Sequence, residues 1–210
     1  MKVPFLDLKV TDPNHKKSLI KNLKDILEHG RVIEGPELFE FEKKMANYLN
    51  TKHVVGLSSG SSAIYLALKA LNVKKGDEVI TTPFTWIITV NAILEVGAKP
   101  IFVDIKDDFN IDPEKIGSKI TKKTKAIVPM HVGGHMCEME KISQIAKKNN
   151  LYVVEDAAQA IASSLNKKKA GYFSDISAFS TNPMKMLNGL GEAGFISTRN
   201  TNLKKKILYL

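Results

Sequence analysis

Arginine is almost missing from this chain: Arg31 and Arg199 stand against 29 lysines, within a formal net charge of +9. That imbalance argues against a nucleic-acid partner, because bidentate contacts to phosphates and bases favour guanidinium, and no basic stripe interleaved with aromatics occurs. A positive field still suits an acidic small substrate. Cysteine is scarcer still, and Cys137 alone excludes a disulfide within the chain. No apolar run approaches membrane-spanning length, and the opening "MKVPFLDLKVTDP" has no apolar signal core, so a cytoplasmic protein with no membrane partner is expected. Low-complexity segments and internal repeats are absent as well.

What is present suits one large globular domain: 210 residues, 43% hydrophobic and 25% charged, enough to bury a sizeable core. Periodicity switches between short β-branched runs and amphipathic helical ones. "HVVGL", "EVITTP", "PIFVDI", "KAIVPM" and "LYVVED" read as strands, with helical patterns between them. "GPELFEFEKKMANYL" opens on Pro36 at a first helical position and spaces Leu38, Phe41, Met45 and Tyr48 along one face, while Asp112 caps a helix at Pro113. Strand and helix alternating at this spacing predict an α/β fold with a mostly parallel central sheet covered by helices. In such sheets ligands bind beyond the carboxyl ends of the strands.

Those ends carry the chemistry. After "HVVGL", residues Ser58, Ser59, Gly60, Ser61 and Ser62 lead into an apolar helix, a pattern that makes either an anion site of free N–H groups and hydroxyls or a plain serine cap. After "EVITTP" come Phe84 and the one tryptophan, Trp86, either a platform for a flat ligand or a core residue. After "LYVVED", Asp156 stands at a strand end with Gln159 three residues on; it either pairs with a cationic ring nitrogen or caps a turn. Lys185 sits alone among Pro183, Met184, Met186 and Leu187 in "STNPMKMLNGLGEAG", whereas other lysines stand in solvated runs such as Lys204-Lys205-Lys206. Its stem either packs on those neighbours or its amine serves the site. His131 and His135 in "HVGGHMCEM" either touch a substrate or hold a structural turn, and their spacing makes no metal site. A phosphate cup, an aromatic plate, a carboxylate and an isolated lysine together match the needs of pyridoxal phosphate.

In order and spacing, "PFLDL", "GPELFEFE", "SSGSSAIYLAL", "GDEVITTPFTW", "NAILEVGAKPIFVDI", "TKAIVPMHVGGH", "VVEDAAQA" and "AFSTNPMKMLNGLGEAG" resemble the DegT/DnrJ/StrS family of sugar aminotransferases over essentially the whole chain. The resemblance implies the large domain of the aspartate-aminotransferase type fold, pyridoxal 5'-phosphate, a homodimer, and transfer of an amino group from L-glutamate to a keto sugar carried on a nucleotide, for polysaccharide or glycan precursors. Position by position, it makes Lys185 the Schiff-base lysine, Asp156 the partner of the ring nitrogen and Gln159 a hydrogen-bonding group near the phenolic oxygen. It also places Trp86 against the ring, and Gly60, Ser61, Ser62 and Ser180 around the phosphate.

The same resemblance divides the chain into an N-terminal arm and helix (1–35), a cofactor-binding large domain (36–200) and the start of a connection (201–210) to a C-terminal small domain that this chain lacks. It follows that a truncated, inactive cofactor-binding or interaction protein is the alternative expectation. The family pattern is not matched everywhere. Gly60-Ser61 stands for "GT", Asn182-Pro183-Met184 precedes the lysine where "HPT" is usual, and Ala193 interrupts "GEGG". Each change leaves the reacting groups in place, and a lysine at 185 argues against the dehydratase branch, which carries histidine there.

Overall fold

The computed structural model describes residues 3–210. The chain divides into a first unit ending at Phe41 and a second, Glu42–Leu210. The first contains α1 (Pro13–His29), capped by Asp12, which accepts from the Asn14 N–H, and ended by Gly30 at φ 68, a left-handed conformation that favours glycine. α1 buries none of its residues, and Ile20, Leu23 and Leu27 along one face are exposed. α2 (Pro36–Leu49) begins in this unit and runs into the second. The sequence pattern puts Tyr48 on its apolar face. In the structure Leu49, four residues after Met45, is buried instead, and Tyr48 lies outside with the Lys169 ammonium 3.2 Å from its ring centroid.

The second unit continues through β1 (His53–Leu57), α3 (Gly60–Ala70), β2 (Glu78–Thr81), α4 (Ile87–Glu95), β3 (Lys99–Phe102), α5 (Pro113–Ile116), β4 (Thr124–Ile127), α6 (Met139–Lys148) and β5 (Tyr152–Asp156). It ends with the small hairpin of β6 (Ser164–Leu165) and β7 (Lys168–Lys169), then β8 (Ile176–Ser180), β9 (Gly194–Thr198) and α7 (Thr201–Leu208). The main sheet has the order β1-β9-β8-β5-β4-β2-β3. β2 pairs in parallel with β3 and β4, as do β4 with β5 and β5 with β8, while β9 runs antiparallel to both its neighbours. Every strand of the main sheet but β9 therefore points the same way, which is the mostly parallel, helix-covered sheet that the alternating pattern predicts.

Ala63, Ile64, Ala67 and Leu68 of α3, Ala92 and Ile93 of α4, and Leu203 and Ile207 of α7 form one apolar cluster with Val55, Val154, Ile176 and Ile196 of the sheet. α7 lies in the span 201–210 that the family resemblance reads as the start of a connection. α6 buries Met139, Ile142 and Ala146 and packs against β5. Because strand side chains alternate, Val154 and Asp156 of β5 face the α3 layer, and Val153 and Glu155 face the opposite way. Among the described residues no helix is long and apolar enough to cross a membrane.

The parallel direction puts the ends of β1, β2, β4, β5 and β8 along one edge, and the start of reversed β9 returns there. At that edge backbone meets backbone. A Cβ on Gly194 would lie 2.5 Å from the Ser59 carbonyl carbon and 2.6 Å from the Gly60 nitrogen, and one on Gly60 would lie 2.7 Å from Ser180 Cβ. The α3 N-terminus therefore approaches β8 and β9 as closely as it does because both positions lack a side chain. Gly194→Ala is expected to cost about 1–3 kcal/mol, the usual range for overpacking against immobile atoms. Gly117→Ala, with nothing within 4 Å of the added carbon, is the control expected to leave stability near wild type. Equilibrium denaturation of the two variants checks this.

Candidate active site

Asp156 closes β5 and is 2% exposed. Its Oδ2 accepts from the Thr89 hydroxyl at 2.7 Å and its Oδ1 from the Ala158 N–H at 3.2 Å. Thr89, on α4, is itself buried and within 3.0 Å of the Thr85 hydroxyl, so the carboxylate hangs on a short relay of hydroxyls. Burial pushes the Asp156 carboxyl above the ordinary aspartate range, against the Thr89 and Ala158 hydrogen bonds and the nearby His131 and Lys185 side chains, which favour the ionised form.

A cavity of about 630 Å³, its open mouth included, spreads over this carboxyl. Gly60, Ser61, Trp86, Asp156, Gln159, Ser180 and Lys185 all line it, so seven of the eight sequence-selected positions meet in one place. Ser62 does not. Its N–H donates to the Ser59 side chain and its hydroxyl lies 3.0 Å from those of Ser58 and Ser59, the hydrogen bonding of a helix cap. The α3 N-terminus meets the cavity through Gly60 and Ser61, where the first-turn N–H groups lack helical partners.

Trp86 precedes α4 and is 62% exposed, with its ring on the cavity wall rather than in the core. Gln159 is oriented by the Gly133 N–H, which donates to its Oε1 at 2.8 Å. Beyond Trp86 the space continues into a depression that shares Trp86, Met130 and Gln159 with the first and adds Pro83, Phe84, Thr85 and Val132.

Lys185 rides a loop between β8 and β9. The Lys185 N–H donates to Asn182 O and the Gly189 N–H to Thr181 O, both at 2.8 Å, and Asn182 uses its side chain to accept from the Met184 N–H and to donate to Glu192. Lys185 is half-buried, as are Pro183 and Leu187, whereas Met184 and Met186 are 61% and 81% exposed.

Thr89, Asn182 and Glu192 also line or brace the site and escape the sequence reading. For Thr89 the available signal is its spacing of four from Thr85 on a helix that starts at a strand exit. For Asn182 it is the departure from "HPT" itself. The two histidines separate: His135 is exposed with Nε2 3.5 Å from Asp108, and His131 is fully buried behind the sheet. Among the described residues no three His, Cys, Asp or Glu side chains converge as a metal site.

The buried carboxyl also makes a prediction without any ligand. A folded-state pKa raised above the unfolded one means that stability is lost as pH rises from the ordinary aspartate range through the raised value. In cofactor-free protein Asp156→Asn is therefore expected to be more stable than wild type at neutral pH, with the gap narrowing as the pH falls. Melting temperatures over a pH series check it, and a gap that widens on acidification contradicts it.

The comparisons with known proteins agree on one relationship. A model described as the DegT/DnrJ/EryC1/StrS aminotransferase family matches residues 13–210. A pleiotropic regulatory protein of Geobacillus stearothermophilus is 42% identical over 207 residues, which cover 98% of this chain and 56% of the relative. The dTDP-3-amino-3,6-dideoxy-alpha-D-galactopyranose transaminase of Aneurinibacillus thermoaerophilus is 40% identical over 206 residues, covering 98% and 57%. The crystal structure of NtdA from Bacillus subtilis with bound cofactor PMP superposes with a TM-score of 0.92 at 39% identity, over 98% of this chain and 47% of that one. The chain spans about half the length of the curated relatives it matches.

Proposed function

This chain belongs to the DegT/DnrJ/EryC1/StrS aminotransferase family, and from that premise we propose that the protein is a pyridoxal 5'-phosphate-dependent aminotransferase. On this reading it moves an amino group from L-glutamate to the keto group of a nucleotide-linked deoxysugar. The observation that carries the reading is the meeting of Lys185, Asp156 and the α3 N-terminus at one cavity.

The residues fit the cofactor in kind. The free N–H groups of the first α3 turn, with the Ser61 and Ser180 hydroxyls, suit its phosphate. Trp86 offers a flat face for the ring. Asp156, whose burial makes an unpaired charge costly, gains a cationic partner in the ring nitrogen. Gln159 has its Oε1 held by Gly133 and its amide NH₂ left for the ring oxygen. When bound, pyridoxal phosphate supplies an electron sink for the negative charge that develops at the amino-donor carbon.

The chain's own part is to place protons. Lys185 would hold the cofactor, and its amine, when free, would take the proton from the donor carbon and return one on the other side of the transfer. Asp156 would keep the ring nitrogen protonated. The wall of Pro83, Phe84, Met130 and Val132, with Thr85 and Gln159 as its polar members and no charged side chain, suits a deoxygenated sugar. A homodimer in the cytoplasm belongs to the same reading. Its support is exposed apolar surface, along α1 in the first unit and at Trp86, Met184, Met186 and Leu190 in the second.

The test is to add pyridoxal phosphate, reduce with borohydride and map the modified peptide by mass spectrometry. The adduct is expected on Lys185 and is expected to vanish in Lys185→Ala, with the melting temperature of the cofactor-free variant near wild type because the loop carries little buried surface. An adduct on one of the other 28 lysines with Lys185 unmodified overturns the assignment. An adduct on Lys185 with no amine transfer from glutamate selects the non-catalytic alternative.

A further inference from the structure

Directly behind the cavity, on the opposite face of β5, two ionisable side chains are completely buried: His131 and Glu155. Their facing atoms, His131 Nε2 and Glu155 Oε1, lie 3.8 Å apart, and neither has a hydrogen-bond partner among the described residues. Their other atoms are engaged. Nδ1 of His131 accepts from the Cys137 N–H at 3.2 Å, and Oε2 of Glu155 accepts from the Gly171 N–H. Orphaned buried polar atoms are costly, and closing the gap by about 1 Å brings the two within hydrogen-bond reach of one another.

The ring's proton can be placed. Burial works against charging the ring, while the Cys137 and Glu155 side chains favour charge and push its pKa up to about 10. The Cys137 N–H pulls the other way, since it needs a lone pair on Nδ1. Charged or neutral, the ring keeps a proton on Nε2, aimed at Glu155.

We propose that His131 and Glu155 form a buried positioning pair, joined by an Nε2–H to Oε1 hydrogen bond, which holds Asp156 and Gln159 in register at the cavity. Both connections are short. The His131 N–H donates to Asp156 O at 3.2 Å, and the Asp156 N–H donates to Pro129 O at 2.9 Å, so the strand end carrying the carboxyl is tied to the segment carrying the ring. Immediately after His131 comes the Val132–Gly134 turn, whose Gly133 N–H fixes Gln159 Oε1. That turn sits tightly against the Gln159 backbone, because a Cβ on Gly134 would fall 2.8 Å from Gln159 O. One buried ring thus anchors both the group assigned to the ring nitrogen and the group assigned to the ring oxygen. The ionisable groups facing the imidazole are Glu155 from β5 and Cys137 from its own segment, whose thiol donates to Met130 O, while Asp156 on the other face of β5 feels the ring only electrostatically.

The positioning role rests on the proposed cofactor, but the pairing does not, and the test separates the two. In cofactor-free protein, nitrogen-15 NMR of the histidine rings is expected to show His131 protonated at Nε2, with a slowly exchanging proton that is lost or shifted in Glu155→Gln. A ring protonated at Nδ1 alone overturns the pair, whatever the protein binds. With pyridoxal phosphate added, Glu155→Gln and His131→Gln are expected to move the pH midpoint of the visible band by about one unit, as displaced partners of the ring nitrogen and oxygen would. A purely structural role predicts a lower melting temperature with the midpoint unmoved, and that result overturns the positioning claim. Should His131→Gln not fold, Glu155→Gln decides, its amide matching the carboxylate in size. A wild type that takes up no cofactor counts against the proposed function, while the NMR result still decides the pair.

Discussion

A carboxyl buried at a strand end, with no ion pair of its own among the described residues, sets the terms for the rest of this molecule. Asp156 gives up its water for two hydrogen bonds, from Thr89 and from the Ala158 N–H, and its raised pKa records that these do not replace what was lost. A group held so has unspent affinity for positive charge. In isolation that affinity is a liability for stability; beside a cationic heterocycle it becomes the interaction that keeps the heterocycle protonated. The burial that costs stability in the empty protein is what strengthens the attraction to a cation in the loaded one.

The remainder of the fold delivers groups to that carboxylate. Parallel pairing brings several strand ends to one edge, and the reversed β9 returns the chain there after the lysine loop. Alternation along β5 then separates the roles: Asp156 faces the cavity, and Glu155, one residue earlier, faces His131 behind the sheet. Gly60 and Gly194 let the α3 N-terminus reach the same edge, so a helix N-terminus and an acid sit across one space. The lysine is held differently, by a loop braced mainly through Asn182, and that looser support suits the role proposed for it.

The five strands that the β-branched runs predict, β1 to β5, all form, since each is a short apolar stretch flanked by helical periodicity. β8 and β9 are not read from the sequence. "ISAFS" and "GFIST" mix serine and threonine with apolar residues, and their burial comes from sitting between other strands rather than from their own composition. The site is legible as residue types at strand exits, but not in its fine division of labour. Ser62 looks like its serine neighbours until the cap geometry claims it. Thr89 carries only its spacing from Thr85 as a mark until α4 brings it to Asp156. His131 and His135 read alike in sequence, yet tertiary packing seals one and exposes the other. On α2, the shift from Tyr48 to Leu49 is a one-residue phase difference that helical periodicity alone leaves undecided.

The central claim is that Asp156 exists to hold a proton on the ring nitrogen of the cofactor. Pyridoxal phosphate carrying nitrogen-15 at that atom, bound to wild type and to Asp156→Asn, reads the protonation state directly by NMR. The account predicts a protonated nitrogen across neutral pH in wild type and an unprotonated one in the variant. The same chemical shift in both proteins would contradict it.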